Sequence, residues 1–278
     1  MNSLMQSKSQ KELAFLQDLY VAPDWGERFA ELVDKHVQLP KEGRALYLAA
    51  TTGGHAIALQ ERAGEKLELL CVDENEECLD LARAKAKALH ERTTFQLEDI
   101  NALSFGDNQF DLVLGNSSFT LPAGLKAMLA EMVRVATPGA TVAWWLPTAS
   151  SFGEFFSIYW EALHNAGLDN HGLKIEHLIT DLPTVSDTGR LAEEAGLEKI
   201  NSWTAIEEFD FDSGEQFLNS PLITDFLLPN WLASLAETAR ARVVEEFKKI
   251  IDEERHSGEF ALTLKATLVV GRKAVRNE

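Results

Sequence analysis

ALYLAATTGGHAIAL, residues 45–59, holds an apolar run of strand length, a glycine-containing turn and the start of a helix. In an open α/β sheet, the end of such a strand facing a helix N-terminus is where nucleotide-like cofactors bind. The turn is unusual for that task. Its only glycines are Gly53 and Gly54, with Ala49 and Thr51 where a glycine-rich loop carries glycine. Glycine in such loops permits positive φ or close approach of backbone to ligand, and a β-branched residue at positive φ is a steric outlier. Thr51 held in that conformation would cost about 1–2 kcal/mol. The sequence therefore predicts either ordinary backbone at Thr51 or a loop of changed shape, with weakened or altered ligand contact.

Outward from this turn, strand and helix alternate. LELLCVD (67–73), TTFQLED (93–99), FDLVLGN (110–116) and TVAWWLP (141–147) read as strands, and ECLDLARAKAKAL (77–89) and LKAMLAEMVRVA (125–136) as helices, the latter stopped by Thr137-Pro138-Gly139. Short apolar strands separated by helices mark a mostly parallel sheet covered on both faces. Before it, residues 1–44 predict an arm of two short helices broken at Pro23 and Asp24. After it come an aromatic amphipathic helix over 151–167, a shorter helix over 187–197, a strand over 199–211, a long helix over 233–255 and the strand FALTLKATLVVGRK over 260–273. A last pair of strands around a helical insertion suggests an antiparallel edge. The expected organisation is an arm (1–44) and one domain (45–278) with helical lid insertions near 148–195 and 212–256.

Composition narrows the function classes. The chain has 278 residues, 45% of them hydrophobic, with 26 Lys and Arg against 44 Asp and Glu, a net charge of −18. That charge repels a polyanion, so nucleic acid is not an expected partner and a small-molecule substrate is. The basic stretches RAKAKALHER (83–92) and GRKAVRNE (271–278) read as solvated surface. No apolar run reaches a membrane-spanning length and the start lacks a secretory core, which predicts a cytoplasmic protein without a membrane span. Cys71 and Cys78 have no metal-like spacing and the histidines are scattered, so no metal is expected. The oligomeric state is open.

In order and spacing, residues 40–147 resemble the class I methyltransferases that use S-adenosylmethionine, particularly the small-molecule group containing the ubiquinone and menaquinone methyltransferases. Where that family has D-x-G-x-G-x-G, this chain has Tyr47-Leu48-Ala49-Ala50-Thr51-Thr52-Gly53, so the acid and two of three glycines are replaced. LLCVDENEECLDLARAKA looks like the second-strand segment, QLEDINALSFGDNQFDLVLGN like the next, and LAEMVRVATPGATVAWWLP like the helix, Pro-Gly turn and fifth strand. The resemblance implies a Rossmann-like, doubly wound, mostly parallel seven-stranded sheet with an antiparallel C-terminal edge strand and a helical lid. It implies S-adenosylmethionine as cofactor, S-adenosylhomocysteine as its product, and methyl transfer to a small organic acceptor.

By the same resemblance Asp73, with Glu74 beside it, holds ribose; Asp99 and Ile100 meet adenine; and Ala49, Thr51 and Gly53 face the methionine end. Asn116, ending the fourth strand, lines the site near the reactive methyl. Read from the residues alone, Asp73 has the alternative of a helix N-cap, Asp99 of a turn residue and Asn116 of a polar strand cap, with the strand before Asp73 favouring the ligand role. Tyr20 and Trp25 of the arm, with Phe156 and Trp160 of the aromatic helix, are candidate walls of an apolar acceptor pocket or plain core. His55 reads as either a base or a surface histidine. Direct displacement at a sulfonium demands alignment and exclusion of water more than any fixed catalytic set, so no catalytic residue is assigned. The altered loop keeps a second reading open, a non-catalytic relative acting by protein binding or ligand sensing. An NAD site is the rival cofactor reading, but it requires G-x-G-x-x-G, which this loop lacks.

Overall fold

The structure is a computed structural model that describes residues 8–89, 92–254 and 260–275. Its strands are β1 (Gly43–Leu48), β2 (Leu67–Asp73), β3 (Thr94–Leu97), β4 (Phe110–Asn116), β5 (Ala136–Pro147), β6 (Leu197–Phe211) and β7 (Phe260–Lys273). The α-helices are α1 (Gln10–Leu16), α2 (Glu27–His36), α3 (Gly54–Ala63), α4 (Glu76–Ala88), α5 (Pro122–Val135), α6 (Gly153–Asn165), α7 (Gly172–Thr180), α8 (Val185–Glu194), α9 (Gly214–Asn219), α10 (Leu228–Trp231) and α11 (Glu237–Glu254). The seven strands form one sheet in the order β3-β2-β1-β4-β5-β7-β6. β1 to β5 pair in parallel and β7 runs antiparallel to β5. The expected doubly wound sheet is present, and its antiparallel C-terminal strand lies one place in from the edge, with β6 outside it. Arg255, the last residue of the expected long helix, His90 and Glu91 of the first basic stretch, and residues 276–278 lie outside the described residues.

The chain divides into two compact units. Of the described residues, one comprises 9–89, 92–147, 184–205 and 266–275; the other comprises Lys8 with 148–183, 206–254 and 260–265. In the first, one side of β1, β4 and β5 meets α5: Leu46, Leu48, Val113, Met128, Met132 and Trp144 belong to a single buried cluster. Burying a side chain of this size contributes about 1.5–3 kcal/mol, so this layer fixes the strand ends on which the site is built. In the second unit the aromatic spacing of α6 produces core. Phe155 stacks on Trp231 at 4.4 Å between centroids and also meets Phe217 and Phe247.

Two local expectations change. The arm is not two helices broken at Pro23: Gln17–Gly26 is a π-helical segment joining α1 directly to α2, with Pro23 inside it. Proline has no N–H to give and its ring crowds the preceding turn, and the wider π turn accommodates both where an α-turn would break. The Thr137-Pro138-Gly139 turn lies within β5 rather than before it. Phe110 pairs with Ala136 and Leu112 with Thr141, so the intervening residues bulge out of the pairing, with Gly139 at φ 81°.

Candidate functional site

β1 ends at Leu48 because the next residues leave extended backbone. Ala49 has φ 53° and Thr51 φ 52°, so both non-glycine positions adopt the left-handed conformation. The loop therefore keeps a glycine-like path without the glycines, and the ordinary backbone expected as one alternative for Thr51 is not found. Hydrogen bonds account for its persistence. The Ala50 amide donates to the Val72 carbonyl at 3.2 Å, the Gly53 amide to the Ala50 carbonyl at 3.0 Å, and the Thr51 amide to Asp73 Oδ2 at 2.8 Å. Gly53, at φ 76°, is the residue that no other could replace: a Cβ there would stand 2.7 Å from that of Ala82 and 2.8 Å from the Phe95 ring. It caps α3 without any side-chain hydrogen bond, leaving the first amides of that helix directed outward.

Asp73, at the end of β2, is buried. Its Oδ1 accepts from the Asn75 amide at 2.9 Å, and Asn75 itself caps α4 by accepting from Glu77 and Cys78. The N-cap alternative for Asp73 thus falls to Asn75. Burial raises the Asp73 pKa, while the amides of Asn75, Thr51 and Glu74 work in the other direction. The Glu74 pKa is also raised, first by desolvation and then by the charge of Asp99, although its carboxylate accepts from the Ile100 amide. Asp99 is exposed and accepts from the Asn101 amide at 2.8 Å, which is a turn interaction. Asp73, Glu74, Asp99 and Ile100 are thus brought together beside Thr51.

On the other side of Thr51 lies a cavity of about 260 Å³. Its floor is Ala50, Thr51, Gly54 and His55; its walls are Tyr47, Asn116, Ser118, Phe119 and Trp145 at the carboxyl ends of β1, β4 and β5. This is the edge at which open α/β sheets bind ligands. The arm covers it with Val21, Trp25 and Phe29, and Trp25 stacks on Phe119 at 5.2 Å. Asn116 Oδ1 accepts from the Ser118 amide at 3.0 Å, so the residue serves as a strand-end cap and lines the cavity as well.

His55 is not a surface histidine. Its side chain is 15% exposed, with Nδ1 3.1 Å from the Tyr47 hydroxyl and Nε2 3.0 Å from Asp34 Oδ1. Among the proposed acceptor residues, Trp25 lines the cavity, whereas Tyr20 is 56% exposed and does not. Phe156 and Trp160 belong to the other unit, Phe156 in its aromatic core and Trp160 47% exposed. Sequence reasoning did not single out Phe29, Trp145 or Asp34. Trp145 carries a signal, an aromatic near the end of a strand, while Asp34 carries none because it is one exposed acid on an amphipathic helix, 21 residues before His55.

Residues 45–139 match the family model of the methyltransferase domain. The chain is 34% identical over 146 residues to the demethylmenaquinone methyltransferase of Deinococcus radiodurans, a stretch that covers 51% of this chain and only 59% of that protein. It is 30% identical over 171 residues to the ubiquinone/menaquinone biosynthesis C-methyltransferase UbiE of Cupriavidus pinatubonensis, covering 56% of this chain and 68% of the relative. The fold is similar to that of the YcgJ protein of Bacillus subtilis, with a TM-score of 0.59 at 17% identity over 90% of this chain and all of the other.

Proposed function

We propose that this chain, which belongs to the class I S-adenosylmethionine-dependent methyltransferases of the ubiquinone and menaquinone type, transfers a methyl group from S-adenosylmethionine to a small organic acceptor. The observation that carries the reading is the hydrogen bond from the Thr51 amide to buried Asp73. It holds a carboxylate at one side of the loop and the open amide end of α3 at the other, although the loop has lost two glycines. The residues fit the group. A ribose offers two hydroxyl donors to Asp73, and the methionine carboxylate suits the uncapped N-terminus of α3. When bound, S-adenosylmethionine supplies a methyl group activated by its sulfonium.

In this reading Asp73 receives the ribose, with Glu74 flanking it, and Asp99 and Ile100 border the adenine. Ala49, Thr51 and Gly53 shape the methionine side. Asn116 stands at the methyl, and Trp25 is the arm's contribution to acceptor binding. What the protein does for the reaction is to align the acceptor and keep water out. Trp25, Phe29, Phe119 and Trp145 give the cavity flat apolar walls, which suit a planar ring. A quinone ring of the demethylmenaquinone type, the acceptor in the name of the Deinococcus relative, is the substrate class we assign. Among the described residues no helix is long and apolar enough to cross a membrane. We place the protein in the cytoplasm, acting on a small molecule rather than nucleic acid.

The test is incubation with methyl-labelled S-adenosylmethionine and a short-chain demethylmenaquinone kept reduced, with products separated by chromatography. Label in the quinone supports the whole reading. Binding of S-adenosylmethionine without label transfer overturns the acceptor class, and absence of binding overturns methyl transfer itself.

A further inference from the structure

We infer that Tyr47, His55 and Asp34 form a proton relay that accepts the proton of a ring hydroxyl on the acceptor, with Tyr47 as the residue that touches it. The inference rests on the methyl-transfer reading above. Tyr47 and His55 both line the cavity, and Asp34, on α2, lies 37% exposed at the far end of the chain of contacts. The relay therefore runs from the cavity towards the more exposed side of α2.

The direction of each hydrogen bond follows from chemistry. An ionised carboxylate only accepts, so the proton between His55 Nε2 and Asp34 Oδ1 belongs to the imidazole. Burial works against ionisation of Asp34, but hydrogen bonds from His55 and Arg62 and the Arg62 charge work the other way, and its pKa lies below the ordinary carboxylate value. With Nε2 protonated, neutral His55 presents a lone pair at Nδ1, and the Tyr47 hydroxyl 3.1 Å away donates to it. That leaves the lone pairs of the Tyr47 oxygen as acceptors. Both ring nitrogens of His55 are taken, so a proton from the cavity reaches the imidazole only through Tyr47.

The step balances. The acceptor O–H bond breaks and its electron pair stays on the acceptor. The proton goes to the Tyr47 oxygen while the Tyr47 proton passes to His55 Nδ1. The imidazolium that results is held by Asp34, whose Oδ1 also receives Arg62 at 2.6 Å. The electron pair left on the acceptor makes it the stronger nucleophile toward the methyl group that S-adenosylmethionine, held by Asp73 and the N-terminus of α3, would supply, while the proton's charge rests on His55 beside Asp34. Tyr47 does not need to rest as phenolate. Desolvation first, then the neighbouring Cys71 and Asp34, raises its pKa well above the usual tyrosine value, so it passes a proton rather than storing a charge.

The groups that face the relay are few. On β2 there is the Cys71 thiol, on α3 Arg62, on β5 Trp145 edge-on to Tyr47 at 5.5 Å, and across the cavity Glu27 and the paired Asp18 and Lys85. Asp34 is thus the carboxylate in contact with the imidazole, and it acts as a positioning residue.

The test uses 2-naphthol, whose neutral and ionised forms differ in absorbance, added to the full-length protein saturated with S-adenosylhomocysteine. Wild type is compared with Tyr47→Phe, His55→Gln and Asp34→Asn at one fixed pH. The expected result is an ionised fraction of bound naphthol at least tenfold higher in wild type than in Tyr47→Phe or His55→Gln, with Asp34→Asn between. Equal ionised fractions in all four proteins, or no naphthol binding to the loaded wild type, overturn the relay. Calorimetric titration of the same samples with S-adenosylhomocysteine separates the two levels. Wild type that fails to bind it overturns the methyl-transfer reading and the relay together, whereas normal binding with an unchanged naphthol spectrum overturns the relay alone. A variant that binds S-adenosylhomocysteine as wild type does has kept its fold, and its naphthol spectrum then decides.

Discussion

The Thr51 amide donates to Asp73 Oδ2 at 2.8 Å while Thr51 itself sits at φ 52°, so a threonine occupies backbone suited to glycine and is held there by a buried carboxylate. The conformation costs about 1–2 kcal/mol for a β-branched residue, and glycine in its place would add about 0.5–1 kcal/mol of chain entropy to lose on folding. Thr51→Gly is expected to leave stability within about 1 kcal/mol of wild type, on the stabilising side. Its affinity for S-adenosylmethionine should be equal or higher, because nothing but a side chain has left the loop. Denaturant unfolding and calorimetric titration read both. A loss of stability or affinity would mean that the Thr51 side chain makes a contribution beyond its backbone.

Gly53 allows no such exchange. Its positive φ and the contacts a Cβ would make with Ala82 and Phe95 combine strain with overpacking. Gly53→Ala is expected to destabilise by about 2–5 kcal/mol in denaturant unfolding. An effect under about 1 kcal/mol would show that α4 and β3 yield to the added methyl and that the turn is looser than the structure has it.

The pH dependence follows from the sign of the Asp73 shift. Burial raises its pKa above 3.8, so folding favours the protonated carboxyl. Its contribution to stability is fully present below the unfolded value and is lost as pH rises through the folded value. In the absence of ligand, the stability of wild type relative to Asp73→Asn should therefore improve as pH is lowered from 7 towards 4. Thermal unfolding of both proteins across that range checks this. A difference that moves the other way would mean that the three amides outweigh desolvation.

The sheet was legible in the sequence because its strands are short apolar runs and its helices keep 3.6-residue spacing, signals that survive in LELLCVD and LKAMLAEMVRVA without any tertiary context. The arm was not, since Pro23 signals a break in an α-helix and nothing local distinguishes that from a π turn. Asp73 and the residues near it were legible by order and spacing. The conformations of Ala49 and Thr51 were not, because they are imposed by hydrogen bonds to Val72 and Asp73, from the neighbouring strand. Asp34 was invisible for the same reason, being 21 residues from the histidine it holds.

The most direct measurement of the central claim is calorimetric titration of the purified protein with S-adenosylmethionine, beside Asp73→Ala and Asp73→Asn. The account predicts micromolar binding by wild type and a loss of at least tenfold in both variants, with Asp73→Asn the better folded because it keeps an acceptor for one backbone amide. Absence of binding by wild type at millimolar ligand, or unchanged affinity in a folded Asp73→Asn, would contradict it.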